Sequence, residues 1–579
     1  MHECLERPIN AHRQRLISED SIAAPISSRR KYEILAQRDV GVPMRDGISL
    51  NVHVFRPAAP GRFPALVGLA PFHLDFQDEY IWPSAARSSR TRGSPTVNVE
   101  SIPRDFFVRR GYVKVVGASR GTGKSGGVYQ YTSPQEALDN YDLIEWTAQQ
   151  PWCDGNVGMA GIAYYAALQM ATASLHPPHL KAIAPLFAFW DDYRDSWWEG
   201  GILANGFLKW VNNLVNNDLH ADRSVLADEL GVKGFKAQIE RALGDKDISA
   251  DPGLVNALKN PAQLGHAAVL DILLHPYICG YWNDRGAGLK LDDIKVPSYF
   301  GAASHRPGPL FNWGQLHMPK KMVCVPPAYV DRPFYQLSWE MLEWFDHWLK
   351  GVSNGFMQGP PVRIFVTGSD EWVAADDFPL PGTNWIPLNL QENRRLAGFE
   401  PPSEAASTSY DDAPKKRGFL KFYSNPLSEH LQSVGLASLV LYVSCRQRDA
   451  NVFASLWDAA PDGRETCVSR GYLKLSHREL DAQKSRPWHP VHRHLSTENL
   501  VPGQVYQIVV GFHPVANSFK AGHRIGLKIG GADDDPENLF QVGMYHLSSQ
   551  DNNTVTVYHC AEYPSHILLP ITRGNLGGF

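Results

Sequence analysis

The stretch Asn156-Val157-Gly158-Met159-Ala160-Gly161-Ile162-Ala163-Tyr164-Tyr165-Ala166 decides the fold. Val157 to Gly161 reads as a short strand, and Ala166, Ala167 and Ala171 keep slim a helix whose run Leu168 to Ala173 reads as buried. Small residues on both sides of such a reversal let the chain turn within a few residues, and the central side chain then projects from the end of the strand. That side chain is Ala163. A turn of this kind is where a catalytic nucleophile stands when one is used, and here it carries a methyl group.

On either side, the chain alternates strand and helix. Between Tyr32 and Phe189, apolar runs such as Pro64 to Leu69 and Tyr112 to Val116 alternate with helical segments, the pattern of a mostly parallel sheet. One helix is signposted by Ser133 as N-cap, Pro134 at the first helical position and Glu136 three residues after the cap. From Trp190 to about Lys290 helical segments take over, at Val225 to Leu230, Phe235 to Leu243 and Ala267 to Leu274. The sheet resumes at Val296, and Leu337 to Leu349 reads as its closing helix, anchored by Trp339, Met341, Trp344, Phe345 and Trp348 and stopped at Gly351. Beyond Gly359-Pro360-Pro361 the chain is β-rich, with strands expected at Val362 to Val366, Ser438 to Ser444, Tyr506 to Phe512 and Asn553 to Tyr558.

At 579 residues the chain is too long for one core. A net charge of -4 gives no reason to expect nucleic acid or an anionic membrane as a partner. The seven cysteines, Cys4, Cys153, Cys279, Cys324, Cys445, Cys467 and Cys560, are scattered and form no Cys-x-x-Cys pair, which suits reduced thiols. The N-terminus lacks the apolar core of a signal peptide, and no apolar run reaches the ~18 residues of a membrane span. A soluble cytoplasmic protein is expected, with no cofactor and no metal; a homodimer through the β-rich region is allowed for.

Several motifs carry a resemblance. They are Val42-Pro43-Met44-Arg45-Asp46-Gly47-Ile48-Ser49-Leu50 with Phe55-Arg56-Pro57, then Phe107 to Tyr112 leading into Ser119-Arg120-Gly121-Thr122-Gly123-Lys124-Ser125-Gly126-Gly127, and then the stretch around Ala163. Gly435, Leu456-Trp457-Asp458, Pro461-Asp462-Gly463 and Gly522-His523-Arg524 follow. From about Val42 to Asp534 the sequence resembles the cocaine esterase and X-prolyl dipeptidyl aminopeptidase group of α/β-hydrolases. The resemblance implies an α/β-hydrolase domain over 32–189 and 291–355, a helical cap over 190–290 roofing the pocket, and a jelly-roll β-sandwich over 360–579. The polar first 31 residues are expected to form an N-terminal arm.

Carried over position by position, the resemblance places Ala163 at the serine, Arg306 at the aspartate, Tyr329 at the histidine and Phe72 at the oxyanion-hole tyrosine. Triad chemistry needs a nucleophile, a base and a carboxylate to orient the base. None of these roles is then filled in its usual place. The pocket is expected to be lined by Phe72, Ala163, Tyr164, Tyr165 and Trp190, with Tyr329, His305, Arg306 and His73 as the groups able to do acid–base or oxyanion chemistry. The reading that follows is a non-hydrolytic enzyme, a cyclase, isomerase or lyase acting on a hydrophobic small molecule of specialised metabolism. Two alternatives stand beside it: a binding pseudoenzyme, and a residual esterase- or peptidase-type hydrolase in which a displaced histidine activates water.

Two further motifs are discounted. Ala118 to Ser125 fits a relaxed phosphate-loop pattern but is explained by the resemblance as a Gly-rich turn beside the pocket. His489, His492 and His494 lack a carboxylate or thiolate in register for a metal and are expected in a solvent-exposed loop.

Overall fold

Strand-forming runs of small and β-branched residues build a sheet whose parallel strands are buried on both faces, as a parallel sheet flanked by helices requires, while the edge strand Ile34–Pro43 is mostly exposed. The computed structural model describes residues 27–72, 74, 100–206, 208, 224–261, 267–286, 290–303, 307–325, 333–398, 404–533 and 545–574. The chain divides into two units, the first drawn from residues up to 191 and from 284–363, the second from 192–212, 224–283 and 364 onward.

In the first unit the strands are β1 (Ile34–Pro43), β2 (Ser49–Pro57), β3 (Phe63–Ala70), β4 (Val113–Ala118), β5 (Cys153–Ile162), β6 (Leu180–Leu186), β7 (Ser298–Ala302) and β8 (Lys320–Cys324). They lie in the order β1-β2-β4-β3-β5-β6-β7-β8. β1, β2 and β4 pair antiparallel, and every pairing from β4 through β3 to β8 is parallel. The helices that matter here are α1 (Pro134–Ala148), α2 (Tyr164–Ala173) and α3 (Pro333–Lys350).

Helix α1 starts as expected, with Ser133 Oγ accepting from the Glu136 N–H at 3.3 Å and Pro134 in the first turn. Its buried face is in good part polar, with Glu136, Asp139 and Asn140 buried beside Leu143 and Ile144. Helix α3 buries Met341, Trp344 and Phe345, and Gly351 follows at φ 68°, the left-handed stop that glycine supplies. The residues before β1 are tied to this unit. The N–H groups of Lys31 and Tyr32 donate to Arg109 O, and Ser28 donates from both its N–H and its hydroxyl to the buried Asp346 carboxylate.

In the second unit helical segments form at both expected places, Val225 and Phe235, within the span Val225–Gly244, which is interrupted at Gly231 by a non-helical φ of 62° and ψ of 176°. The helices Pro252–Lys259 and Ala268–Leu274 follow. The rest is β-structure in a 14-stranded sheet. Strand Ser438–Cys445 pairs antiparallel with Tyr506–Gly511, Asn553–Tyr558 and His566–Arg573, and strand Asn451–Ala459 with Glu465–Lys474 and Arg524–Gly530. Inward residues such as Leu439, Leu441, Leu456, Leu527, Val555 and Ile567 form one apolar core. The histidines expected in a solvent-exposed loop are placed otherwise: His492 and His494 are buried, and His494 Nδ1 faces His477 Nδ1 at 3.1 Å. Their sequence neighbours are polar, which is why the segment reads as exposed, but the tertiary packing closes over the rings.

Candidate active site

Strand β5 ends at Ile162 and helix α2 begins at Tyr164, so one residue makes the whole reversal. That residue, Ala163, sits at φ 49° and ψ -107°, a region that L side chains rarely occupy. Its N–H donates to Leu186 O on β6 at 3.0 Å, and its carbonyl accepts from Ala167 N–H at 2.9 Å. The turn is tight because its neighbours are small. A Cβ added to Gly161 would lie 2.3 Å from Tyr165 Cβ. The strained turn, the glycine and the helix start together form a nucleophile elbow at the C-terminal end of the central parallel strands, where open α/β sheets bind their ligands.

The elbow has a donor array but no nucleophile of its own. Because the first intrahelical bond of α2 runs from Ala167 to Ala163, the N–H groups of Tyr164, Tyr165 and Ala166 have no acceptor within the helix, and the helix dipole adds positive character there. Such an end suits a developing oxyanion. The methyl group of Ala163, half-buried, offers nothing that could bond to a carbonyl carbon.

The Tyr164 side chain turns away from that task. Its hydroxyl donates to Glu136 Oε2 at 2.6 Å and accepts from the Thr132 N–H at 3.0 Å, and Tyr129 Oη lies 3.3 Å away. Glu136 is buried, and burial pushes its carboxyl up to about 7 against the opposing pull of Ser119 and Tyr164. Tyr165 is buried too, and its hydroxyl has no hydrogen-bond partner among the described residues. Burial, then the nearby Glu100, raise the Tyr165 phenol well above its usual value. Phe72 closes the group, with its ring 6.0 Å from that of Tyr164 and 6.5 Å from that of Tyr165.

Phe72, Ala163, Tyr164 and Tyr165 are therefore brought together. Trp190 packs into the first unit with its ring 5.2 Å from that of Phe300 and against Gly308. His73, His305, Arg306 and Tyr329 lie outside the described residues. Glu136 is the residue that sequence reasoning missed. Its position three residues after an N-cap is explained by helix capping alone, yet its carboxylate lies beneath the elbow.

The Gly-rich turn after β4 is held by its own side chains. Arg120 bonds Asp139 through Nε at 2.6 Å and Nη2 at 2.5 Å and reaches Asp46 at 3.1 Å, while the hydroxyl of Ser125 donates to Ala118 O at 2.7 Å. Lys124, the residue a phosphate loop would need, reaches Asp39 at 2.6 Å instead. Among the described residues no group of three or more His, Cys, Asp or Glu side chains is placed to hold a metal.

Comparison with known proteins agrees with this geometry. Residues 46–304 match the model of the X-Pro dipeptidyl-peptidase S15 family, and residues 354–568 match that of the X-Pro dipeptidyl-peptidase C-terminal non-catalytic domain. The chain belongs to the cocaine esterase and X-Pro dipeptidyl-peptidase family. Cocaine esterase from a Rhodococcus strain is 26% identical over 92% of this chain and 98% of its own length. A putative Xaa-Pro dipeptidyl-peptidase of Bacillus anthracis is 23% identical over 85% of this chain and 81% of its own. The crystal structure of a CocE/NonD family hydrolase from Staphylococcus aureus superposes with a TM-score of 0.76 at 25% identity, covering 93% of this chain and 94% of that one.

Membership of this family gives an α/β-hydrolase-like domain followed by a C-terminal β-rich domain. It also corrects the functional expectation. These relatives are named for ester and peptide hydrolysis, so the cyclase, isomerase or lyase of specialised metabolism expected from the sequence is overturned. That expectation weighed the four positions Ala163, Arg306, Tyr329 and Phe72 above the rest of the scaffold. No helix among the described residues is long and apolar enough to cross a membrane.

Proposed function

We propose that the protein hydrolyses an ester or amide bond in an apolar small molecule, with water as the attacking nucleophile. The observation that carries this reading is the elbow itself: Ala163 is held at φ 49° directly before the free N–H groups of α2. The family's named activities support hydrolysis as the reaction class.

In this reading the water oxygen bonds to the carbonyl carbon and the carbonyl oxygen takes up the electron pair facing the Tyr164 N–H. His73 or His305 accepts the proton lost by water and returns it to the leaving oxygen or nitrogen as its bond to carbon breaks. No acyl-enzyme forms at residue 163. Phe72 supplies apolar contact for the substrate. The free thiols of Cys153, Cys279, Cys324, Cys445, Cys467 and Cys560 fit a reducing, cytoplasmic setting.

The test is a panel of p-nitrophenyl esters and X-Pro p-nitroanilides, run beside intact-mass analysis after treatment with a fluorophosphonate. Turnover without a stoichiometric adduct is the expected result, with His73→Ala or His305→Ala lowering kcat by roughly 100-fold or more. Absence of turnover across the panel overturns hydrolysis. A stoichiometric adduct overturns attack by water.

A further inference from the structure

Beneath the elbow lies an acid that the reaction proposed above does not use. Glu136 and Tyr164 are both buried, and the Tyr164 hydroxyl is fixed from three sides: it donates to Glu136 Oε2 at 2.6 Å, accepts from the Thr132 N–H at 3.0 Å and has Tyr129 Oη at 3.3 Å. Thr132 itself sits at φ 41°, a conformation that a threonine holds only where its surroundings impose it. The tyrosine ring is packed edge-on by Phe72 and Tyr131, with centroids 6.0 Å and 5.7 Å away.

A side chain held so completely leaves its own backbone little freedom. That backbone carries the N–H that follows Ala163 and has no acceptor within α2. On the other side of the same peptide, the Ala163 N–H donates to Leu186 O at 3.0 Å. The peptide joining Ala163 to Tyr164 is thus oriented by two anchors, one on β6 and one on Glu136. Only the second can change its charge.

The groups facing Glu136 come from each element packed around it. Ser119 stands on the turn after β4, Tyr129 and Thr132 lie just before α1, Tyr164 opens α2, and Asp139 is one turn along α1. The Asp139 carboxylate is answered by Arg120, whose Nε lies 2.6 Å from it. No cation among the described residues pairs with Glu136. Burial therefore favours the neutral acid and pushes its carboxyl up to about 7.

We propose that Glu136 is a positioning residue for the reaction at the elbow, acting through Tyr164. Neutral, it holds the Tyr164 N–H toward the developing oxyanion with the positive end of α2 behind that amide. Ionised, it sets an unpaired negative charge one tyrosine side chain behind the same N–H, where it opposes the charge that the transition state develops. This role rests on the hydrolytic reading. It gives hydrolysis an alkaline decline that belongs to a carboxyl, beside the rising limb that a histidine base supplies.

Two measurements test it, each on the full chain, on Glu136→Gln and on Tyr164→Phe. In the first, kcat/KM for p-nitrophenyl ester hydrolysis is expected to fall roughly tenfold as pH rises through the Glu136 ionisation. Glu136→Gln should lose this decline. Tyr164→Phe should move it to higher pH, because it removes a hydrogen bond that favours the ionised acid. In the second, the protein is labelled with 15N-tyrosine, and the Tyr164 amide resonance is identified by its loss from Tyr164→Phe. That resonance should shift with pH near neutrality in the unaltered protein and stay still in Glu136→Gln. An alkaline decline that survives in Glu136→Gln overturns the proposal, as does a Tyr164 amide that is flat with pH or titrates without Glu136. Absence of turnover at every pH overturns hydrolysis instead, while an amide that titrates only when Glu136 is present still upholds the coupling.

Discussion

The hydroxyl of Tyr164 lies 2.6 Å from Oε2 of Glu136, which couples the first residue of α2 to a carboxyl buried in the first turn of α1. Between pH 4.5 and about 7 the folded protein holds the Glu136 proton that the unfolded chain releases. The stability this gives is full below about 4.5 and is lost as pH rises through about 7, a span worth roughly 3 kcal/mol. Glu136→Gln should flatten that part of the stability–pH curve in urea denaturation. Tyr164→Phe should lower stability by about 1–3 kcal/mol, since it strands a buried carboxyl and the Thr132 N–H.

Ala163 pays for its position in backbone strain. Glycine tolerates φ 49° without a Cβ clash, although it adds freedom to the unfolded chain. Ala163→Gly should therefore raise stability by up to about 1 kcal/mol, read as a higher urea midpoint with an unchanged slope. A lower midpoint would mean that the turn is not strained.

Asp346 is buried and accepts from Ser28 N–H at 2.6 Å, Ser28 Oγ at 2.8 Å and Tyr112 Oη at 2.7 Å, with Lys350 Nζ at 3.1 Å. Asp346→Ala should cost about 3–5 kcal/mol, because it leaves the largely buried Lys350 ammonium unanswered. Asp346→Asn, which keeps an acceptor, should cost less. Faster proteolysis near Ser28 in the alanine variant would show that this carboxylate anchors the residues before β1.

In the second unit the buried ring of His546 lies between two carboxylates, with Nε2 3.5 Å from Glu199 and Nδ1 3.5 Å from Asp533. These carboxylates overcome burial and push the imidazole up to about 9, while Glu199 falls below the ordinary range, owing to His513 and His546. A raised histidine stabilises the fold fully below its unfolded value of about 6.5 and loses that contribution as pH rises through about 9. Thermal unfolding should therefore shift to lower temperature between pH 6.5 and pH 9.5 (roughly, either side of that window), and His546→Leu should remove this dependence.

Most of the first unit was legible in the sequence because its signals are local. The small residues around Ala163, the cap at Ser133 and the stop at Gly351 each act within a few positions, and each is where the sequence puts it. Two features were not legible. The burial of His492 and His494 depends on distant rings such as Tyr193, 5.2 Å from His494. Glu136 looked like a capping residue, since nothing in its own helix announces the tyrosine 28 positions away that makes it a buried acid.

The elbow keeps its shape around a side chain that has no hydroxyl to aim. Its geometry is therefore imposed by what surrounds residue 163, by Gly161, Tyr165 and the bond to Leu186, and not by the chemistry of the side chain at that position. Alanine and serine codons differ by a single base. For a lineage carrying this gene, the step between a chain without a nucleophile and one with a nucleophile is thus one mutation wide, with the backbone already waiting on either side of it.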